Sequence, residues 1–401
     1  MKKRTIIIIL IVTLALIILG VVSLNFLNKE KEPEKPLEYT GPLSGQINDD
    51  IERETKKEDI KEGTIVNKKE IKLDEYTDNI TINKGGIYTL SGNFNNTIRI
   101  DTKENVELKL NNVNIKSQIT SAIINLKENK LTINILENTE NVIKDNGNSE
   151  YDACIYSYGE IIIKGAGKLD IKCNQLYSEG IATKDKNITI NSGTINIDSP
   201  DDGINTGGEK GGVITINDGS IFIKADADAI DSNDTIVINN GTLYAIGGNT
   251  GNDGAFDSDN GLYINGGTVI ALGYNQIEMP KEESKQYTLG LNLTELIDKD
   301  KIITLTNEYQ IELISFKTEN KINKILISHP YLNQGKYLLY SDNKHSGELK
   351  QGIYNNGEVT INKKISIKNQ SEFEMLNIVT EINSTGRKPG GEQQWKRKVL
   401  H

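Results

Sequence analysis

A short motif recurs through the middle of the chain and constrains the fold more than any other feature. Each copy is a brief apolar strand, then Asn, one residue and Gly, then a second strand in which apolar residues alternate. The four clearest copies read NITINSGTINI, VITINDGSIFI, TIVINNGTLYA and GLYINGGTVIA. Their shared asparagines are 26, 22 and 26 residues apart, at Asn191, Asn217, Asn239 and Asn265.

A unit of this kind cannot bury its own apolar face, but stacked units form a continuous core of Ile, Val and Leu. Each repeat is therefore predicted to be one coil of a parallel β-helix, with coils about 4.8 Å apart. An antiparallel sandwich also has closely spaced short strands, but it does not explain a fixed Asn position within a unit of 22 to 30 residues. The predicted fold class is all-β.

Composition narrows the possible partners. The 401 residues carry a formal net charge of -10, which argues against nucleic acid because binding its phosphates needs a basic surface. The only two cysteines, Cys154 and Cys173, do not make a disulfide framework. Two buried thiols are favoured, and a single disulfide or a metal role stays open. No oligomeric state is predicted.

The N-terminus predicts a membrane partner. Lys2, Lys3 and Arg4 precede an uncharged run over residues 5–27, which is long enough to span a bilayer as one helix. We predict an uncleaved anchor in 1–27, with a cleaved signal peptide as the alternative. Because positive charge stays inside, the remaining chain is expected outside the cell, at its surface or secreted. Residues 28–70 are predicted to be a charged spacer.

Acidic residues recur at matching places in the repeat. Residues 225–280 contain eight acidic residues and neither Lys nor Arg. With the coils in register, DGIN (202–205), DAID (228–231) and GAFD (254–257) share one place on successive coils. Three columns are predicted: Asn205 with Asp231 and Asp257, Asp202 with Asp228, and Asn233 with Asp259. Asp226 and Asp253 lie just before this corner.

Carboxylates stacked this closely either acquire raised pKa values or require a cation. A cluster of oxygen ligands without His or Cys suits Ca²⁺ and argues against zinc. We therefore predict Ca²⁺ as the cofactor and these nine residues as its candidate ligands. The competing interpretation is that Asp and Asn merely occupy exposed turns. The segment is not an EF-hand, because DSDNG (257–261) lacks the twelve-residue frame.

Several motifs together resemble the secreted, pectate-lyase-like, carbohydrate-binding β-helix family of clostridia and related Gram-positive bacteria. They are TINKGGIYTLSGNF (81–94), VELKLNNVNI (106–115), SPDDGINTGG (199–208), ADADAIDSNDTIVINNGTLYAIGG (225–248), GAFDSDNGLYINGGTVIALG (254–273) and ISFKTENKINKILISHPYLNQGKYLLYS (314–341). The resemblance implies a right-handed β-helix that binds Ca²⁺ and cell-wall polysaccharide, either cellulose or acidic pectin. Ala227 departs from the Gly that the family tends to have there.

Three classes of function are compatible with these features. The first is a polysaccharide-binding protein, with tyrosines as flat surfaces for sugar rings, among them Tyr151, Tyr156, Tyr158, Tyr177, Tyr244, Tyr263 and Tyr274. The second is a Ca²⁺-dependent polysaccharide lyase, whose base would be Lys224 or Lys184. The third is a structural stalk or adhesin stiffened by Ca²⁺. We favour binding without catalysis, so no catalytic residue is predicted.

The repeat stops before the end of the chain. Residues 71–275 are predicted to be the carbohydrate-binding β-helix domain. Residues 276–349 alternate as antiparallel strands do, and they predict a β-rich cap, because an open β-helix end needs cover. Residues 350–401 are predicted to be a weakly ordered tail, and the stretch 386–401 has no assigned role.

Overall fold

The computed structural model describes residues 63–145, 151–174, 176–248, 253–274 and 276–365, and the short strands at 373–374 and 379–382. Within these ranges the regular structure is β-strand apart from one 3-10 turn, Leu73–Glu75, so the all-β prediction is confirmed. The predicted anchor 1–27 and most of the spacer lie outside the described residues, as does 386–401. No helix in the described ranges is long and apolar enough to cross a membrane.

The strands of the repeating part are numbered here in chain order. They are β1 (Thr64–Ile65), β2 (Glu70–Lys72), β3 (Ile80–Ile82), β4 (Gly86–Phe94), β5 (Ile98–Ile100), β6 (Val106–Lys116), β7 (Ile123–Asn125), β8 (Leu131–Ile135), β9 (Glu140–Lys144), β10 (Ala153–Ser157), β11 (Ile161–Gly165), β12 (Lys168–Lys172), β13 (Glu179–Thr183), β14 (Ile188–Ile190), β15 (Thr194–Ser199), β16 (Ile204–Thr206), β17 (Ile214–Ile216), β18 (Ser220–Ala225), β19 (Ile230–Ser232), β20 (Thr235–Ile238), β21 (Thr242–Ile246), β22 (Phe256–Ser258), β23 (Gly261–Ile264) and β24 (Thr268–Gly273).

The C-terminal strands follow the same numbering. They are β25 (Thr288–Ile297), β26 (Ile302–Asn307), β27 (Glu312–Lys317), β28 (Ile322–Ser328), β29 (Lys336–Ser341), β30 (Lys344–His345), β31 (Glu348–Lys350), β32 (Ile353–Asn355), β33 (Val359–Thr360), β34 (Lys363–Lys364), β35 (Phe373–Glu374) and β36 (Val379–Ile382).

Successive coils stack their strands in parallel on three faces. Face 1 is a sheet ordered β1-β3-β5-β7-β10-β13-β16-β19-β22. The long strand β6 pairs with both β8 and β9, and from there the chain builds two further parallel faces. Face 2 contains β8, β11, β14, β17, β20 and β23. Face 3 contains β9, β12, β15, β18, β21 and β24, so the predicted parallel β-helix is confirmed.

The recurring motif performs two tasks in this architecture. Its apolar residues point into the β-helix, where Ile190, Ile216 and Ile238 pack in register on face 2 and are buried. The shared asparagines form a ladder between faces 2 and 3, in which each Nδ2 donates to the preceding Oδ1. The three bonds are Asn217 to Asn191 at 2.8 Å, Asn239 to Asn217 at 2.9 Å and Asn265 to Asn239 at 2.9 Å.

The C-terminal strands extend the last coil and also cover part of face 3. Strand β28 pairs antiparallel with β24, and β25 pairs antiparallel with β28. A second antiparallel sheet, which includes β26, β27 and β29, packs against face 3 through Tyr244. The Tyr244 ring is fully buried, stacks on Phe222 at 5.5 Å and lies 6.2 Å from Phe316, while its hydroxyl donates to the Lys317 carbonyl.

Candidate functional site

Face 1 brings three of the predicted ligands into one column. Strand β16 pairs with β19 so that Asn205 faces Asp231, and β19 pairs with β22 so that Asp231 faces Asp257. Each of the three is half-buried and alternates with buried neighbours, as side chains on the outer surface of a half-exposed strand do. The register that the repeat predicts for this column is therefore confirmed.

Asp202 and Asp228 form the second column, and each also joins two coils. Both side chains are buried. One oxygen of Asp202 accepts the main-chain N–H of Asp228 at 2.9 Å, and one oxygen of Asp228 accepts that of Gly254 at 2.6 Å. These bonds give both carboxyl groups a structural role in addition to any role as ligands.

Two glutamates that the sequence prediction did not include extend the acidic region. Glu179, on the preceding coil, accepts a hydrogen bond from Asn205 Nδ2 at 2.6 Å, and the same amide donates to Asp202 at 3.0 Å. The other amide atom, Asn205 Oδ1, is buried and has no hydrogen-bond partner. An oxygen in this state is a potential ligand for a cation.

Glu278 lies next to the other end of the column. Its side chain is 7% exposed, its Oε1 accepts a hydrogen bond from Ser258 at 2.6 Å, and its Oε2 is buried without a partner. Burial raises the pKa of Glu278 to about 8; the Ser258 hydrogen bond opposes this shift, and the charge of Asp257 adds to it. We name the whole set the acid corner: Glu179, Asp202, Asn205, Asp228, Asp231, Asp257 and Glu278.

The environment of the acid corner disfavours the charged form of its buried carboxyl groups. Burial is the largest cause that raises the pKa values of Glu179, Asp202 and Asp228 well above their usual range. Neighbouring carboxylates add to the effect, and Asp231 contributes to the shift of all three. Carboxyl groups held this way favour either protonation or a cation among them.

The remaining predicted ligands lie at the margin of this corner. Asp226, Asn233 and Asp259 are exposed, and the Asn233 amide donates to the Gly208 carbonyl at 2.9 Å. Asp253 is buried. Because the main chain places Gly254 opposite Asp228, Asp253 aligns with Ala227 of the preceding coil.

The acid corner is not a closed cage of three carboxylates. Among the described residues, one set of three Asp, Glu, His or Cys side chains brings its ligand atoms within 4.8 Å of one another, and it is Asp145, Cys154 and Cys173. These three are buried, and the two sulfurs lie 2.7 Å apart. Burial raises the pKa of the Cys154 thiol well above its usual range, which disfavours the thiolate that a metal ion requires.

Three aromatic rings continue face 1 beside the acid corner. Tyr151, Tyr156 and Tyr158 form a cluster with ring centroids 5.3 to 6.3 Å apart, which we name the tyrosine cluster. In the strand register Tyr156 faces Ala182, and Ala182 faces Asn205. Burial raises the pKa of Tyr156, and the charges of nearby groups, Glu179 among them, add to the shift. The cluster and the acid corner are therefore neighbours on one surface.

Other groups singled out from the sequence lie elsewhere. Lys224 is on β18 of face 3, in register with Asp198 and Ile246, whereas the acid column is on face 1. Lys184 is exposed just after β13. Tyr244 was expected to offer a surface to sugar rings. This prediction is wrong, because the antiparallel sheet that includes β26, β27 and β29 buries the ring completely; we call it the C-terminal sheet.

The raised pKa values predict how stability depends on pH. In a chelating buffer, we expect the free energy of unfolding to fall as pH rises from about 4.5 to about 8. The reason is that the folded state holds protons on Glu179, Asp202, Asp228 and Glu278 in a range where the unfolded state has released them. Denaturant unfolding across this range measures the slope.

The matched variant for this experiment is Glu278→Gln, which keeps the shape of the side chain and removes its titration. We expect a shallower decline in this variant, chiefly toward the upper end of the range, because Glu278 titrates at about 8 in the folded protein. A free energy of unfolding that stays level or rises with pH in chelator would contradict the raised pKa values of the acid corner.

These observations define a class of protein: a parallel β-helix with an acidic corner and an aromatic cluster on one face. Residues 76–368 match the family model described as carbohydrate-binding domain-containing protein. A relative with the same description, from Acetivibrio thermocellus, is 30% identical in an alignment 248 residues long that covers 52% of this chain and 82% of the relative. The chain therefore belongs to the carbohydrate-binding domain family, and the resemblance identified from the sequence is confirmed.

A solved structure is also similar to this chain. It is described as the polysaccharide lyase-like protein from C. thermocellum, in a gadolinium derivative. The identity is 27%, the match covers 47% of this chain and 89% of that chain, and the TM-score is 0.39.

Proposed function

We propose that the protein binds an acidic, pectin-type polysaccharide of the cell wall through Ca²⁺ held at the acid corner. The observation that carries the proposal is the column of Asn205, Asp231 and Asp257 on the same face as the tyrosine cluster. The proposal places the protein outside the cell, attached through the anchor predicted in residues 1–27 or secreted. It includes right-handed coils, because crossovers between parallel strands are right-handed in about 98% of cases.

The chemistry of the acid corner suits Ca²⁺ in particular. This ion takes about 6 to 8 oxygen ligands in flexible geometry, and carboxylate and amide oxygens are its usual protein ligands. Asp231 and Asp257 lie on adjacent coils, and Asn205 Oδ1 has no hydrogen-bond partner. An ion held by this open arrangement keeps coordination positions for water or for carboxylates of the glycan.

A bound cation also resolves a problem of charge. The chain is acidic overall, and an acidic polymer would be repelled by an uncompensated acid corner. Bound Ca²⁺ reverses the local field and bridges protein and polymer carboxylates. The tyrosine cluster supplies apolar ring surface with polar hydroxyl edges, a combination that suits the faces and hydroxyl groups of sugars.

The test is retention of the full-length protein on polygalacturonate gel and on insoluble cellulose, in Ca²⁺, in Mg²⁺ and in chelator. We expect retention on polygalacturonate in Ca²⁺ only, because Mg²⁺ demands an octahedral, water-rich shell that this corner does not preorganise. Ultraviolet absorbance of unsaturated uronides is followed in the same samples, and it should stay flat.

Each other outcome selects a different function. Rising absorbance would identify a lyase and make Lys184, which follows β13 of face 1, the first base to replace. Thermal stabilisation by Ca²⁺ without retention on either polymer would identify a stalk stiffened by metal. Equal retention in Ca²⁺ and in chelator would show that the acid corner is not the glycan site.

A further inference from the structure

A buried lysine lies beside a buried asparagine where the C-terminal strands cover the last coil. Lys324 is on β28 and Asn292 is on β25, and the antiparallel register places these two residues opposite each other. Lys324 is 3% exposed and Asn292 is 1% exposed. The Nζ of Lys324 donates a hydrogen bond to Asn292 Oδ1. We name these two residues the Lys–Asn pair.

The burial of this amine sets it apart from the other lysines. Among the residues that the structure describes, Lys324 is the one buried lysine, and the others are half-buried or exposed. Lysine is almost never fully buried, because its ammonium group loses hydration there. Removal from water favours the neutral form of an amine, which is also its nucleophilic form. A nucleophilic nitrogen and an amide carbonyl therefore meet in one buried hydrogen bond.

The Lys–Asn pair points toward the end of the β-helix core. Leu291 and Ile325, which are strand neighbours of the pair, pack in the apolar cluster shared with the C-terminal sheet. Successive side chains of a strand point to opposite faces. Asn292 and Lys324 therefore share the face of Leu326, which packs in the core of the β-helix. Apolar surface thus encloses the pair on the side where its side chains meet.

Neighbouring strands hold the two side chains in place. Strand β28 lies between β24 and β25, and β25 lies between β28 and β36, so neither is an edge strand. Gly273 on β24 is opposite Lys324 and leaves room for it, because glycine has no side chain. Reacting atoms in a productive arrangement are about 3 to 3.5 Å apart, and a nitrogen hydrogen-bonded to Oδ1 lies close to that distance from Cγ. The pair is therefore preorganised for attack of Nζ on Cγ.

We propose that Lys324 and Asn292 form an intramolecular isopeptide bond. The neutral Nζ of Lys324 attacks Cγ of Asn292, the bond between Nζ and Cγ forms, and the bond between Cγ and Nδ2 breaks. One proton leaves Nζ and ends on the departing nitrogen, so the products are an amide cross-link and one molecule of ammonia. No electrons are gained or lost, and the balance needs no further reactant. The proposal goes beyond polysaccharide binding and depends neither on the acid corner nor on Ca²⁺.

The cross-link locks the cover of the β-helix onto its last coil. The two residues are 32 positions apart in the chain, and β28 pairs directly with β24 of the last coil. A covalent bond that closes a loop of this length restricts the unfolded chain, as a disulfide does. It also prevents β25 from separating from β28. Because exposed strand edges invite pairing with other chains, a locked cover protects the end of the β-helix.

Another place in the fold provides an internal control. Asn134 on β8 lies opposite Lys109 on β6 and Lys164 on β11. All three side chains are half-buried, the Asn134 amide donates to Glu107 at 2.8 Å, and Lys164 pairs with Glu107 at 3.2 Å. A lysine in contact with water is charged at neutral pH and is not a nucleophile. Strand register without burial is therefore expected to leave Asn134 unmodified.

The test is peptide mapping by mass spectrometry of freshly purified full-length protein after digestion with trypsin. We expect one cross-linked species that joins residues 286–299 to residues 322–336. Its mass should equal the sum of the two peptides less one ammonia, and it should be uncut after Lys324 because the amine is blocked. Asn134 should remain unlinked to Lys109 and Lys164. In denaturing electrophoresis the original chain should run ahead of Asn292→Ala, since a closed loop makes the unfolded chain more compact.

Two variants assign the bond to its residues. Asn292→Ala removes the carbonyl that is attacked, and Lys324→Arg keeps a charged donor but removes the amine, so both should lack the cross-linked species. The proposal is overturned if the digest of the original chain yields residues 325–336 as a separate peptide and residues 286–299 unmodified. A species lighter by one ammonia that persists in Asn292→Ala would also overturn it. The digest of the original chain decides the matter even where a variant does not fold.

Discussion

The double variant Asp231→Ala/Asp257→Ala is expected to lose retention on polygalacturonate in Ca²⁺. The two side chains occupy adjacent coils of one column and supply both of its carboxyl groups. The affinity for Ca²⁺ depends on how many charged ligands a site offers, so removing two should weaken it about a hundredfold, or roughly 3 kcal/mol. Calorimetric titration with Ca²⁺ and the retention assay should report the same loss.

The matched control is Asp198→Ala/Asp218→Ala, which removes the same charge from exposed positions outside the acid corner. We expect this variant to bind Ca²⁺ and polygalacturonate as the original chain does. In chelator, the acid-corner variant should be at least as stable as the original, because it relieves repulsion on Asp202 and Asp228. Full retention by the acid-corner variant would rule out this column as the site.

Tyr156→Ala is expected to separate glycan binding from metal binding. Tyr156 is the member of the tyrosine cluster that shares the strand register with the acid corner, two coils from Asn205. If its ring is a central contact for the polymer, its loss should cost about 2 kcal/mol, or about thirtyfold in affinity. The affinity for Ca²⁺ should change little, because the carboxyl groups of the column stay in place.

Tyr263→Ala serves as the matched control, since Tyr263 is a half-buried tyrosine on β23 of face 2. We expect it to leave the affinity for polygalacturonate unchanged. Affinity for the polymer that falls equally in both variants would assign the loss to general destabilisation. Unchanged affinity in Tyr156→Ala would remove the tyrosine cluster from the proposed site.

The column was predictable because the repeat has a fixed phase. An Asn at one place in most units indicates how the coils align, and strand pairing transmits that alignment to Asn205, Asp231 and Asp257. A shift of one residue would turn every buried Ile toward water, so the register is strongly specified. A pattern of this kind in the sequence therefore predicts which side chains become neighbours.

The two glutamates of the acid corner were missed for different reasons. EGIAT at 179–183 resembles DGINT at 202–206, so a comparison of these short stretches would have added Glu179. Glu278 follows the last repeat, and no local pattern ties it to Ser258, which lies 20 residues earlier. Its position depends on how the chain turns after β24.

Contacts across long sequence distances were also beyond the local pattern. Tyr244 alternates like an outward residue of face 3, yet it is buried because its hydroxyl and ring meet Lys317 and Phe316, more than 70 residues later. Gln351 is a second example, since it meets Asn196 and Ser220 of face 3 across 155 and 131 residues. Such contacts depend on how distant parts of the chain pack together, and the local sequence pattern of either part does not predict them.

The most direct test of the central claim is a crystal structure grown with Ca²⁺, in which anomalous scattering locates the ion. We predict an anomalous peak on face 1 at about 2.3 to 2.6 Å from carboxyl oxygens of Asp231 and Asp257, with Asn205 Oδ1 as a further ligand. A peak only at Asp145, Cys154 and Cys173, or no peak on face 1 at a saturating concentration, would contradict the account.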